Sequence, residues 1–192
     1  MRIFLAGASG VIGTRLVPLL VAEGHQVAGL TRHPGKQDLL RGLGAQPVVA
    51  DVYDGPGLAE VVVTFDPDLI IQQVTDLPDQ EAQVTATAGA NARIRREGTR
   101  NLLTAAELAR VHRFLVQSVA WELPGDGAAA AAEMEQLVLD EGGVVLRYGR
   151  FYGPGTYHED APPEPPRIHV DEAARRTVAA LDAPSGILTI QE

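Results

Sequence analysis

Cysteine is absent from this 192-residue chain, so disulfides, thiolate metal sites and cysteine nucleophiles are all excluded. No apolar run approaches the roughly 18 residues that a membrane-spanning helix requires. The apolar stretch after Met1 is too short for the hydrophobic region of a signal peptide. These absences predict a soluble, cytoplasmic protein with no membrane partner.

Positive charge is also scarce, because the formal net charge is −9 and lysine occurs only once, as Lys36. An acidic chain is repelled by the phosphate backbone of nucleic acids, so we expect no nucleic-acid partner. The histidines and carboxylates do not have the spacing of a metal site, which predicts no bound metal. The chain also lacks the Gly-x-Ser-x-Gly turn of many hydrolases, which disfavours that class.

Strand-like and helix-like segments alternate along the whole chain, and 45% of its residues are apolar. This alternation predicts right-handed β-α-β units and therefore an α/β fold, a parallel sheet with helices on both faces. We expect a single domain that spans residues 1–192.

The predicted strands are Arg2–Ala6, Gln26–Thr31, Gln46–Ala50, Leu69–Gln72, Arg113–Ser118, Val144–Tyr148 and Gly186–Ile190. The predicted helices are Val11–Ala22, Lys36–Leu43, Leu58–Phe65, Asn91–Arg110, Ala128–Glu141 and Asp171–Leu181. Two irregular segments, Thr75–Gly89 and Gly153–Pro166, separate some of them.

The stretch GASGVIG, Gly7–Gly13, lies between the first predicted strand and the first predicted helix. Parallel sheets bind ligands at the carboxyl ends of their strands, which is where this stretch lies. Free backbone N–H groups and the helix dipole attract an anion there, and glycines let a pyrophosphate approach closely. The stretch predicts a dinucleotide site; the alternative is a tight turn without a ligand.

The ends of the second and third strands refine this prediction. NAD-binding proteins usually have an acid at the end of the second strand for the ribose 2′-hydroxyl, whereas this chain has Arg32. Arg32 favours a 2′-phosphate, and hence NADP over NAD, unless it is a solvated surface residue. Asp51 ends the third strand and either accepts a hydrogen bond from adenine or caps the following turn.

Several stretches occur in an order that resembles a known family. They are GASGVIG, TRHP at Thr31–Pro34, ADV at Ala50–Val52, REGTRNLLTAA at Arg96–Ala106, LRYGRFYGPG at Leu146–Gly155 and IHVDEAARRTVAAL at Ile168–Leu181. The sequence resembles the extended or atypical short-chain dehydrogenase/reductases of the NAD-dependent epimerase/dehydratase and NmrA-like type. The resemblance implies a Rossmann-type, doubly wound fold with NADP or NAD across the strand ends.

The resemblance also implies roles for individual residues. The pyrophosphate would be lined by Gly7, Ser9, Gly10, Val11 and Ile12. The adenosine would be held by Arg32, Asp51 and Val52, and the ribose would lie beside Gln72, Gln73 and Val74. Ser118 ends the fifth strand, where the family often has a catalytic serine or threonine.

The family's chemistry normally needs a tyrosine and a lysine four residues apart on the helix after the fifth strand, where the lysine lowers the pKa of the tyrosine. Here that helix has neither, and Lys36 is nowhere near a suitable tyrosine in sequence. Ser118 and Tyr148 are the substitute catalytic candidates, although Tyr148 could instead pack the Pro-Gly loop that follows it.

Two functions remain open at this point. One is an NADP-dependent oxidoreductase or epimerase that acts on a small molecule with a non-standard active site. The other is an inactive NADP-binding sensor or regulator, which the missing Tyr-x-x-x-Lys pair favours. Family enzymes usually continue further, so we expect a truncated substrate domain. We also expect a homodimer formed by the helices Asn91–Arg110 and Ala128–Glu141, as is usual in the family.

Overall fold

The computed structural model describes residues 1–192, and its core is a parallel sheet. The strands are β1 (Arg2–Ala6), β2 (Gln26–Thr31), β3 (Gln46–Val49), β4 (Leu69–Gln72), β5 (Phe114–Val119), β6 (Val144–Tyr148), β7 (Arg150–Tyr152), β8 (Arg167–His169) and β9 (Gly186–Ile190). Seven of them form one all-parallel sheet in the order β3-β2-β1-β4-β5-β6-β9, and β7 pairs with β8 separately.

Helices cover both faces of the sheet. They are α1 (Gly13–Ala22), α2 (Gln37–Gly42), α3 (Gly55–Phe65), α4 (Ala88–Arg93), α5 (Thr99–Leu108), α6 (Gly125–Asp140) and α7 (Val170–Ala179). One apolar core lies under α1, α2 and α7, and a second lies under α3, α5 and α6. The expected doubly wound α/β fold is therefore confirmed. None of the helices is both long enough and apolar enough to cross a membrane.

The chain order of the sheet places the candidate site. β1 lies between β2 and β4. The chain runs from β1 outward through β2 to β3, and it then crosses back to β4 on the other side of β1, so the strand order reverses at β1. The carboxyl end of β1, at Ala6, pairs with Leu30 of β2 and Gln72 of β4. A crevice forms outside the carboxyl ends at such a switch point. Gly7–Gly13, directly after β1, lies in it.

Several details differ from the sequence-based expectation, and three of them concern the segments around the later strands and helices. The sequence predicts an irregular segment, Gly153–Pro166, and no strands beside it, yet β7 and β8 border this segment and pair as a two-stranded ladder. α6 begins at Gly125, three residues before the predicted start at Ala128. The predicted helix Asn91–Arg110 runs from α4 to α5 through a π-helical segment, Ile94–Gly98, in which the turn is wider than in an α-helix.

Candidate functional site

Each of the three glycines of Gly7–Gly13 lacks a side chain for a different structural reason. Gly7 has φ +89°, and a Cβ on it would lie 2.7 Å from the carbonyl carbon of Gln73. A Cβ on Gly13 would overlap the carbonyl oxygen of Gly7 and lie 2.8 Å from Cα of Ala8. A Cβ on Gly10 would meet only the Gly7 oxygen, at 3.3 Å. Gly7 and Gly13 are thus required by the turn itself, whereas Gly10 keeps an exposed surface bare.

The backbone of this turn leaves donors available. The N–H groups of Val11 and Ile12 make no hydrogen bond within the chain, and α1 starts directly after them. The Val11 side chain is exposed and that of Ile12 is buried in the core, so both residues offer a ligand their backbone and not their side chains. Free N–H groups at the start of α1, next to bare Gly10, match the needs of a pyrophosphate.

Positive charge gathers beside this turn, at the end of β2. The Arg32 guanidinium is about half exposed. The Lys36 ammonium is 3.4 Å from the carbonyl oxygen of Ser9, inside the glycine-rich turn. The Ser9 hydroxyl donates to Oγ1 of Thr31, at 3.0 Å. Sequence reasoning missed Lys36, because only the fold of the segment after β2 brings it back to the turn.

An acid also reaches this end of the site, from an element that sequence reasoning did not connect with it. Asp76, in the loop after β4, pairs with Arg32 through Oδ1 at 2.8 Å from Nη1. The Asp76 side chain is only 11% exposed. No local pattern signals this pair, because its members are on different strand ends.

Asp51 and Val52 follow β3 at the outer edge of the crevice. The Asp51 carboxylate is exposed and accepts a hydrogen bond from the backbone N–H of Tyr53, at 3.0 Å, which is the turn-capping alternative. Its contact with adenine stays a prediction. Val52 is buried, and its carbonyl accepts from Nδ2 of Asn101 at 2.8 Å, so only limited surface of Val52 remains for a ligand.

Gln72 and Gln73 end β4 with both side chains buried on opposite faces of the sheet. Gln72 donates to Oγ1 of Thr99 at 2.7 Å, and Gln73 donates to the Tyr148 hydroxyl at 3.2 Å. The Oε1 atoms of both amides are buried without a partner. What β4 presents at the crevice is therefore the backbone after Gln73 and the partly exposed Val74.

Ser118 belongs to a buried polar group on the α6 side of the sheet. Its side chain is 2% exposed, and its hydroxyl donates to Oε1 of Glu135 at 2.5 Å. Glu135 also pairs with Arg147 of β6, whose Nε lies 3.0 Å from Oε1. Ser118 thus satisfies a buried carboxylate. Its catalytic role stays a prediction that this geometry does not favour.

Tyr148 lies on the other face, under α7, and is 2% exposed. The Thr177 hydroxyl donates to the carbonyl of Ala173, so the Tyr148 hydroxyl donates to Thr177, at 2.6 Å, and accepts from Gln73. Burial raises the pKa of Tyr148 to about 12. A buried, fully bonded tyrosine with a raised pKa is a poor proton-transfer group, which matches the packing alternative.

One more cation lies where α5 and α6 approach each other. Arg95, in the π-helical segment, is partly buried and forms no ion pair. Its one hydrogen bond, at 3.5 Å, goes to the carbonyl of Gly127 in the first turn of α6. Burial lowers the pKa of Arg95, and the negative charge of Glu135 offsets this in part. Elsewhere, Arg150 of β7 stacks on Trp121, 4.8 Å from the ring centroid. Sequence reasoning did not single out these three residues.

The comparison with protein families decides the classification. A profile of NAD(P)H-binding proteins matches residues 7–140, which include the glycine-rich turn, Arg32 and Ser118. The chain belongs to this NAD(P)H-binding family. The resemblance seen in the sequence is thereby confirmed, and a nicotinamide cofactor is the ligand for which the bare turn is suited.

Two named relatives of this NAD(P)H-binding protein are reductases. A 3-diazoavenalumate denitrifying reductase from a Streptomyces species is 34% identical over 225 residues, covering 95% of this chain and 73% of the relative. A 4-hydroxy-2-methyl-3-oxo-4-farnesyl-3,4-dihydroquinoline-1-oxide ketoreductase from Stigmatella aurantiaca is 31% identical, covering 80% of this chain and 51% of the relative. These relatives favour the oxidoreductase-or-epimerase interpretation and do not favour the sensor.

Solved structures agree on the fold. A UDP-glucose 4-epimerase from Thermus thermophilus, in complex with NAD, superposes with a TM-score of 0.82 at 20% identity, covering 100% of this chain and 78% of that one. The UDP-glucose 4-epimerase from Thermotoga maritima gives 0.81 at 16% identity, covering 100% and 77%. At these identities the likeness shows the Rossmann-type fold alone.

Proposed function

We propose that this chain is an NADP-dependent reductase of a small electrophile that carries an anionic group and whose reduction needs no proton from a tyrosine. The observation that carries the proposal is the contrast between the open cofactor turn and the two closed hydroxyls. Gly10, Val11 and Ile12 are ready for a pyrophosphate, while Ser118 and Tyr148 are buried and bonded to protein partners.

The preference for NADP is supported by the charges at the end of β2. Arg32 and Lys36 are two cations beside the glycine-rich turn, and no acid stands at the end of β2. A 2′-phosphate can accept hydrogen bonds from both cations, whereas a 2′-hydroxyl cannot balance their charge. Titration calorimetry with NADP and NAD tests this preference, and NAD binding equal to or tighter than NADP binding overturns it.

When bound, the reduced nicotinamide supplies a hydride. The chain's own contribution is to hold the pyrophosphate at the start of α1 and to place the nicotinamide near the carboxyl ends of β4 and β5. Carbonyl reduction would also need a proton at oxygen, and no lysine-activated tyrosine exists to provide it. An electrophile that expels a neutral leaving group avoids this requirement.

An arene diazonium ion is such an electrophile, and the relative that is 34% identical is named a 3-diazoavenalumate denitrifying reductase. In the net reaction of a diazonium ion, the carbon–nitrogen bond breaks, the hydride takes its place on carbon and N2 leaves. The nicotinamide is oxidised, and no proton enters the balance. We assign the anionic end of the substrate to Arg95, because this guanidinium is partly buried and has no carboxylate partner in an ion pair.

The test uses the purified protein and NADPH that carries deuterium at the transferable position. The panel is a benzoate diazonium salt, a neutral arene diazonium salt, a quinone, a ketone and a UDP-sugar. We expect deuterium at the carbon that lost nitrogen, with the benzoate turned over at a lower KM than the neutral compound. If no panel member is reduced faster than in the enzyme-free control, while NADPH binds, the proposal fails.

We also propose the homodimer expected from the family. Ala128, Ala129 and Ala132 are exposed on α6, whereas Ala130 and Ala131 are buried against the rest of the chain. The exposed alanines leave a smooth strip on which a second helix could approach closely. Light scattering at micromolar concentration tests this, and a monomer there contradicts it.

A further inference from the structure

The Asp76 carboxylate is held in place by three separate segments of the chain. Oδ1 pairs with Arg32 after β2, and Oδ2 accepts a hydrogen bond of 2.6 Å from the Tyr53 hydroxyl after β3. The backbone N–H of Asp76 donates to Oδ1 of Asn91 on α4, at 3.3 Å. Both carboxylate oxygens are thus occupied, and the group is nearly buried.

Tyr53, the second partner of Asp76, is itself fixed. The Arg93 guanidinium lies over its ring, 4.0 Å from the centroid. Arg93 in turn makes two hydrogen bonds to the carboxylate of Glu97, at 2.6 and 3.1 Å. Burial and the neighbouring Asp76 carboxylate raise the pKa of Tyr53, so its hydroxyl remains a donor at neutral pH. Asp76 therefore cannot swing away without losing a well-positioned partner.

This arrangement places a fixed negative charge beside the cation that the proposed function assigns to the 2′-phosphate. The side chain of Arg32 is 49% exposed and can rotate, whereas that of Asp76 is 11% exposed. A 2′-phosphate that recruits Arg32 must share it with Asp76 and lie near a like charge. A cofactor with a 2′-hydroxyl meets neither cost.

We propose that Asp76 is a specificity-determining residue of the adenosine site, where its ion pair with Arg32 narrows the preference for NADP over NAD. The proposal rests on the proposed function in one respect, that Arg32 faces the 2′-phosphate. It adds that the discrimination is set by a residue of the loop after β4, and not by the end of β2 alone.

The experiment measures the dissociation constants of NADP and NAD by titration calorimetry for the wild type, Asp76→Asn, Asp76→Ser and Arg32→Gln. Tyr53→Phe is the matched control, because it removes one hydrogen bond of Asp76 and keeps its charge. We expect either Asp76 variant to tighten NADP binding about three- to fivefold, the upper part of the range for a partly exposed ion pair. The dissociation constant of NAD should stay within about twofold of the wild-type value in the Asp76 variants. In Tyr53→Phe, the dissociation constants of both NADP and NAD should stay within about twofold of the wild-type values.

The outcomes separate the two proposals. If Arg32→Gln weakens both cofactors equally, Arg32 does not face the 2′-phosphate, and the proposed NADP preference fails. If Arg32→Gln weakens NADP alone while both Asp76 variants leave the NADP-to-NAD ratio unchanged, the role of Asp76 is overturned. If the preference for NADP over NAD rises only because NAD binds more weakly, the role of Asp76 is also overturned. The wild-type carboxylate would then be accepting a hydrogen bond from the ribose hydroxyl of NAD. Thermal melting of each variant confirms that it is folded, and Asp76→Ser replaces Asp76→Asn if the latter is not.

Discussion

The two halves of the crevice treat their polar groups in opposite ways. In the half formed by β1 and β2, the N–H groups of Val11 and Ile12 have no internal partner, and Arg32 keeps about half of its side chain exposed beside its ion pair with Asp76. In the half formed by β5 and β6, the hydroxyls of Ser118 and Tyr148 are buried and bonded. The first half is therefore built to receive a ligand, while the second uses the same kind of group to hold the fold together.

The largest expected effect comes from adding a methyl group to a glycine of the glycine-rich turn. In Gly13→Ala the new methyl overlaps the Gly7 carbonyl, and both are backbone-fixed. We expect a loss of about 3 kcal/mol or more in the free energy of unfolding, measured by denaturant titration. The matched variant Gly10→Ala should keep its stability within about 0.5 kcal/mol and bind the cofactor more weakly. A Gly13→Ala protein as stable as the wild type would contradict the close packing.

The next effect concerns the open half and is measured as cofactor affinity. Arg32→Ala should weaken NADP binding by about 1–3 kcal/mol, the scale of a hydrogen bond to a charged group, and leave NAD binding nearly unchanged. Titration calorimetry with both cofactors checks this. No loss for either cofactor would mean that Arg32 is a solvated surface residue, and an equal loss for both would mean that it does not face the 2′-phosphate.

In the closed half, the comparison predicts a change in stability rather than in chemistry. Tyr148→Phe leaves the Gln73 amide without its acceptor in the core and should cost about 1–2 kcal/mol in the free energy of unfolding. Hydride transfer from NADPH by the folded variant should be unaffected. Loss of turnover at unchanged stability would instead make Tyr148 a catalytic residue and would reverse this interpretation of the closed half.

The smallest effect tests the ion pairs by which Arg96, in the π-helical segment, joins α6 at the surface. Hydrogen bonds from Arg96 lower the pKa of Asp126 and of Glu133. Groups with a lowered folded pKa stabilise the fold above their unfolded pKa and lose that contribution as the pH falls through the folded value. Arg96→Gln should therefore flatten the fall of Tm between about pH 5 and pH 3. An unchanged slope would show that these exposed pairs contribute nothing measurable.

Much of the fold was predictable, because buried parallel strands are apolar along their whole length. β1, β2, β4, β6 and β9 have the predicted bounds. β7 and β8 were missed, since three-residue strands have no usable periodicity and their pairing depends on contacts that form only in the folded chain.

The site was predictable where one short stretch carries it and not where the fold assembles it. The glycine-rich turn combines a strand, a turn and a helix within a few residues, so its place at the sheet edge follows from the sequence. Asp76, Lys36 and Arg95 could not be placed in the same way. Each meets its neighbours through a loop or a helix pairing whose path no local pattern describes.

The π-helical segment Ile94–Gly98 acts as a phase shift in an otherwise regular helix. A π turn accommodates one more residue than an α turn, so everything before it is rotated by about 100° relative to what an unbroken α-helix would give. Asn91 and Arg93 lie before the shift and reach Asp76 and Tyr53, whereas Thr99 lies after it and reaches the sheet. Removal of one residue from this segment would restore a regular α-helix. Asn91 and Arg93 would then turn away from the adenosine end of the crevice.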